Sequence, residues 1–93
     1  MSDMMHSYEA GKNTFIKTFG EYYTGHIVRI TLTDIVLKKA AWVASTGRFA
    51  GAMASGEFDE VEPYPDDMEI AVPFSAIQSG VPNWPHELPR EQK

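Results

Sequence analysis

The 93-residue sequence contains no cysteine, which excludes disulfide cross-links and thiolate metal sites. It has no run near the ~18 apolar residues that a membrane-spanning helix needs. The opening stretch MSDMMHSYEAGK lacks the basic and apolar regions of a secretory signal. A soluble, cytoplasmic protein is expected. No Walker loop, G-x-G-x-x-G or G-x-S-x-G occurs, and Ser45 has no adjacent base. The three histidines, His6, His26 and His86, fall in an arm, a strand and a tail, without the i, i+4 partner of a helical metal pair. The carboxylates from Glu57 to Asp67 lack the spacing and glycine of a calcium loop. No enzymatic activity, cofactor or metal site is therefore expected.

Cations are also few, eight against thirteen carboxylates, for a net charge of −5. They are unevenly placed: residues 1–55 carry +2 and residues 56–93 carry −7. An acidic chain is a poor general binder of polyanions, so nucleic acid is an improbable partner. The mildly basic first part leaves room for a small anion. An apolar fraction of 43% and a charged fraction of 23% are those of a globular chain, and the length supports one domain.

Residues 1–12 have no periodicity and read as a flexible N-terminal arm. Residues 13–79 form the expected domain. Asn13 to Phe19 is rich in β-branched and aromatic residues and predicts a strand. Tyr22 to Leu32 alternates, with His26, Val28, Ile30 and Leu32 on the expected core face and Gly25, Ile27, Arg29 and Thr31 on the other. A turn at Thr33-Asp34 leads to a strand with Ile35, Leu37, Ala41 and Val43 on one face and Val36, Lys38, Ala40 and Trp42 on the other. Lys39 breaks this apolar face, which predicts a bulge there or two short strand pieces. A short helix is expected over 46–55, with Phe49 and Met53 on one face and Gly56 as its left-handed stop. Residues 57–67 form an acidic loop whose prolines bar a central strand. Met68 to Phe74 is a further strand, limited by Pro73 to an edge or a strand end, and Ser75 to Ile77 is a helical turn or a last rung. Residues 80–93 read as a Pro-rich, extended and poorly ordered tail, with Trp84 docked on the domain or offered to a partner.

The expected class is mainly β with one short helix: a four- to five-stranded antiparallel barrel or strongly bent sheet. The runs YTGHIVRITLTDIVLKKA and IAVPFSAI resemble SH3/Sm-like small β-barrels over about residues 13–78. The block VLKKAAWVASTGRFAGAMA, with EIAVPFSAI downstream, is similar to small phage and prophage proteins of unknown function. Trp42, Ser45, Gly47, Pro73 and Ile77 fall in the corresponding places. That resemblance implies a phage setting, hence the host-cell cytoplasm, and brings no activity with it.

The constellation that best fits binding lies between Tyr22 and Phe49. Arg29, Thr31, Lys38 and Trp42 are expected on the non-core faces of two adjacent strands. Ser45, Thr46 and Gly47 would offer backbone N–H groups at a helix start, Arg48 adds a guanidinium fork, and Tyr22, Tyr23 or Trp42 could stack on a base. The expected function is a non-catalytic, phage-type accessory binding module. It would sequester or inhibit a host factor or a small anionic, nucleotide-like ligand. The alternatives are a structural oligomer subunit of a particle or complex and an Sm-like nucleic-acid binder. Ile27, Val36 and Trp42, read as apolar excess on the hairpin, predict a homo-oligomer.

Overall fold

The computed structural model describes residues 6–93. The chain folds as β1 (Asn13–Thr18), β2 (Tyr22–Ile30), β3 (Asp34–Ser45), α1 (Phe49–Ser55), β4 (Glu60–Pro63), β5 (Ile70–Pro73), a 3-10 turn (Phe74–Ala76) and β6 (Ile77–Val81). All strand pairings are antiparallel. The strand order is β4-β3-β2-β1-β6, and β5 also pairs with β3. β3 carries two partners end to end along one edge: Asp34–Leu37 pair with β5, and residues from Ala41 to Ser45 with β4.

The chain is thus mainly β with one short helix, as expected, but among the described residues the sheet has six strands and is not closed into a barrel. The additional strands are β4, inside the expected acidic loop, and β6, which spans the expected boundary between domain and tail. β4 tolerates Pro63 because it lies at the sheet's edge and the proline ends it. β6 reads IQSGV, a sequence of weak strand preference that pairing with β1 holds extended.

Phe15 and Ile16 point to opposite faces of β1, and each anchors a core. One face carries Phe15, Ala41, Val43 and Val61, covered by Ala52 of α1, Phe58 and Trp84. The other carries Ile16, Ile27, Ile35, Leu37, Ala40 and Val72, with Ile70, Phe74 and Ile77 against them. The sheet therefore curls around the second cluster, and residues 70–77 cover its open side without a closing ladder.

Two compensating bulges set which residues reach these cores. Thr24 pairs with Ala41 and His26 with Lys38, so three steps of β3 oppose two of β2. Lys39 sits at this bulge with φ 51, the first of the two alternatives expected there; β3 is not split into pieces. The extra residue places Ala40 with Ile35 and Leu37 in one cluster and Ala41 with Val43 in the other, which splits the single apolar face expected for Ile35, Leu37, Ala41 and Val43. Ile27 pairs with Leu37 and Arg29 with Val36, which places the second bulge at Val28 on β2. This corrects the expected core face of β2. Ile27 is wholly buried and Ile30 packs on the same cluster, whereas Leu32 is 98% exposed in the turn. A one-residue insertion reverses side-chain parity, which a strict period of two cannot anticipate. Left-handed backbone costs a lysine about 1 kcal/mol, so Lys39→Gly is expected to raise the thermal midpoint by a few degrees and Lys39→Val to lower it, as calorimetry would show.

The helix starts later than expected, at Phe49, with Arg48 as an N-cap that makes no side-chain capping bond. Ser45 and Thr46 are occupied locally: Ser45 Oγ accepts from the Gly47 N–H at 3.2 Å, and Thr46 Oγ1 donates to the Gly47 carbonyl at 2.9 Å. Phe49 is 49% exposed, and Ala52 is the helix's buried residue. Gly56 ends it as expected, at φ 78, its N–H donating to the Ala52 carbonyl at 2.7 Å.

The tail is extended but not loose. The Trp84 backbone N–H donates to the Asn13 carbonyl at 2.8 Å, and the indole ring stacks on Phe15 and Phe58 at 5.2 and 5.9 Å. His86 Nε2 meets the Met53 carbonyl at 2.8 Å. Arg90 donates to the carbonyls of Ala40 and Tyr64 and pairs with Asp66. Lys93 and Val61 exchange backbone hydrogen bonds of 2.9 and 3.0 Å, covering the outer edge of β4. Prolines keep this strap extended, and the buried indole fixes it in place. Residues 1–5 of the expected arm lie outside the described residues. Its remainder is docked: Gly11 donates to the Ile27 carbonyl at 2.7 Å, Ile27 to the Lys12 carbonyl at 2.8 Å, and Tyr8 packs on the Ile16 cluster.

Candidate functional site

The residues expected to form one anion site are split between the two ends and the two faces of β3, with Arg29 and Lys38 both acting on the Glu69 carboxylate. Arg29 and Thr31 lie by the β2–β3 turn. The Arg29 guanidinium forks onto Glu69 with bonds of 2.8 and 3.1 Å. That hydrogen bond raises the guanidinium's pKa, and the same bond holds the Glu69 carboxyl below the usual carboxylate range. Thr31 Oγ1 accepts from the N–H groups of Thr33 and Asp34 and staples the turn. Ser45, Thr46, Gly47 and Arg48 lie at the opposite end of β3. Val36, the register partner of Arg29, is roughly 30 Å from Ser45 along the strand at ~3.3 Å per residue. The helix start is also not an open cationic corner. Gly47 has φ 69, and the Asp59 carboxylate lies 2.6 Å from where a Cβ on Gly47 would stand.

Lys38 and Trp42, placed on one face by the sequence alternation, lie on opposite faces. Lys38 shares a face with His26, its register partner, and Ala41 with Thr24; the bulge at Lys39 makes these one face and turns Trp42 to the other. Tyr22 is likewise unavailable for stacking on a base, because it packs on Phe15 in the core at 5.4 Å.

Two surfaces remain. The first is aromatic and acidic. Tyr23, Trp42 and Glu62 are register partners across β2, β3 and β4, and Trp42 is 37% exposed. The Tyr23 hydroxyl donates to Glu21 Oε1 at 2.6 Å. Burial, then the Glu21 carboxylate, pushes the Tyr23 phenol's pKa above its ordinary value. Carboxylates thus flank the aromatic pair on both sides. Phe19, Leu32, Phe49 and Met68 are also exposed but lie outside strands, apart from this row.

The second is a cavity of about 290 Å3 at the Lys39 bulge, on the other face of β3. Asn13, His26 and Lys38 form a row across β1, β2 and β3, joined by a 2.8 Å contact between His26 Nδ1 and Asn13 Oδ1. Lys39, Asp67 and Leu88 complete much of its wall. Of this set only Lys38 was legible as a binding residue. The Asn13–His26 pair depends on strand register, and Asp67 and Leu88 arrive from distant segments, so no local pattern marks them. A larger cleft of about 790 Å3 lies between the end of α1 and the strap, with Glu57, Glu87 and Glu91 among its lining residues.

Among the described residues no group of three or more histidines and carboxylates could hold a metal ion, and no helix is long and apolar enough to cross a membrane. No protein-family model, curated protein or solved structure matches the chain.

Proposed function

We propose that the chain is a small, non-catalytic binding module of the phage-type accessory class, and that it engages a host protein through the Trp42 face. The observation that carries this is the row Tyr23–Trp42–Glu62: an exposed indole in the longest strand, flanked by a tyrosine and a carboxylate. Tryptophan and tyrosine are the side chains most often found at interface centres. The carboxylates Glu21 and Glu62 favour a partner segment bearing lysine or arginine, whose cation can also lie over the indole. They disfavour a small anion here.

A second copy of the chain fits this face less well. A two-fold contact sets identical surfaces together and would oppose Glu21 and Glu62 to their own images. The case for self-association also rested on Ile27 and Val36, which are buried within the chain at 0% and 5% exposure.

Titration with a synthetic lysine- and arginine-bearing peptide of alternating apolar residues is expected to shield Trp42 from iodide quenching saturably, while its glutamate counterpart does not. Trp42→Ala removes the effect and Glu62→Lys weakens it about tenfold or more. Equal response to both peptides, or none, overturns the proposal. So does a thermal shift with mono- or cyclic nucleotides that Trp42→Ala abolishes, or a dimer in light scattering that depends on Trp42.

A further inference from the structure

The cavity at the Lys39 bulge lies on the other face of β3 from Trp42 and stands independently of the protein-binding surface. Asn13 Oδ1 can only accept, so its 2.8 Å contact places the proton on His26 Nδ1. Nε2 is then the ring nitrogen left for a ligand, and it accepts. Fixing one imidazole nitrogen in this way selects the role of the other.

The backbone supplies the cations. In a regular strand, consecutive lysines point to opposite faces. Here Lys38 and Lys39 both line one cavity, because Lys39 takes φ 51 and its N–H is held by the Asp66 carbonyl at 3.2 Å. Left-handed backbone at a non-glycine residue is strained and collects at functional positions. The Asp66 carboxylate is engaged by Arg90, which leaves Asp67 as the other carboxylate on the wall. Val28 and Leu88 contribute apolar surface.

A volume of about 290 Å3 falls at the small end of ligand pockets, which run to roughly 300–1,000 Å3. We infer that this cavity binds a small hydroxycarboxylate. Its carboxylate meets Lys38 and Lys39, its hydroxyl donates to His26 Nε2, and its short hydrocarbon part lies against Val28 and Leu88. Asp67 opposes a second negative charge, which separates this ligand from phosphate.

The test is 1H–15N NMR of the full chain titrated separately with 3-hydroxybutyrate, butyrate and inorganic phosphate at constant ionic strength. Saturable shifts are expected with 3-hydroxybutyrate at His26, Lys38, Lys39 and Leu88, with weaker binding of butyrate and none of phosphate. Lys38→Met, which keeps the apolar stem and whose dispersed spectrum reports a folded chain, weakens binding about tenfold or more, the loss expected for a bond to a charged group. His26→Phe brings 3-hydroxybutyrate down to the affinity of butyrate, and Trp42→Ala leaves both unchanged. No saturable shift, equal affinity for phosphate, or unchanged binding in Lys38→Met overturns the assignment.

Discussion

Trp84→Ala lowers the unfolding free energy by about 3–5 kcal/mol, the range for deleting a large buried aromatic. For a chain of 93 residues that displaces the thermal midpoint by more than ~10 °C. The size follows from what the indole joins. Trp84 is 3% exposed, stacks on Phe15 and Phe58, and meets His86 edge-on at 4.8 Å. Phe15 lies in the first strand, Phe58 beyond the helix and His86 in the strap, so one side chain couples three distant segments. Trp84→Phe keeps an aromatic ring in the stack. The indole Nε1 is buried without a partner, so phenylalanine keeps an aromatic ring and removes an unsatisfied donor; a loss of about 1 kcal/mol is expected. Urea and thermal unfolding measure both variants, with near-ultraviolet dichroism reporting the aromatic stack. A loss below about 1 kcal/mol for Trp84→Ala would mean that the strap is not part of the core.

Gly56→Ala is expected to cost about 2–4 kcal/mol, because two independent demands meet at that position. Its φ of 78 is left-handed, which costs an alanine about 1 kcal/mol. A methyl there would also meet His86, with Cγ 2.6 Å from the ideal Cβ position, and overpacking of this kind adds about 1–3 kcal/mol. Relief requires His86 to move, and His86 Nε2 is held at the Met53 carbonyl. The substitution therefore unseats the strap as well as the helix end. Faster amide hydrogen exchange at Trp84 and Lys93 is expected along with the loss of stability. If Gly56→Ala changed stability while those amides stayed protected, the helix stop and the strap would be uncoupled. Gly51→Ala, within the helix and with no neighbour nearer than 3.9 Å to the added Cβ, is the stabilising control.

The contrast between Gly51 and Gly56 shows how far local pattern reaches. Gly56 follows an alanine-rich stretch and is legible as a helix stop from its neighbours alone. The pressure of His86 on it is not, because His86 is thirty residues further along the chain. The candidate sites divide in the same way. Trp42 is recognisable as a notable side chain in any strand, but its partners Tyr23 and Glu62 depend on register. The expected grouping of Lys38 with Trp42 assumed unbroken alternation, and the single extra residue at Lys39 sends them to opposite faces.

Composition and spacing by themselves determined the mainly β class, the short helix and its glycine stop, the irregularity at Lys39 and the absence of cysteine chemistry. Each depends on residue type and near neighbours, which sequence carries directly. Tertiary structure alone decided the six-stranded order, the conversion of a proline-rich tail into a strap, the burial of Ile27 in place of Leu32, and the meeting of Asn13, His26 and Lys38. These depend on register between segments far apart in the chain. A bulge shifts register by one residue, and in a strand one residue is the difference between the two faces.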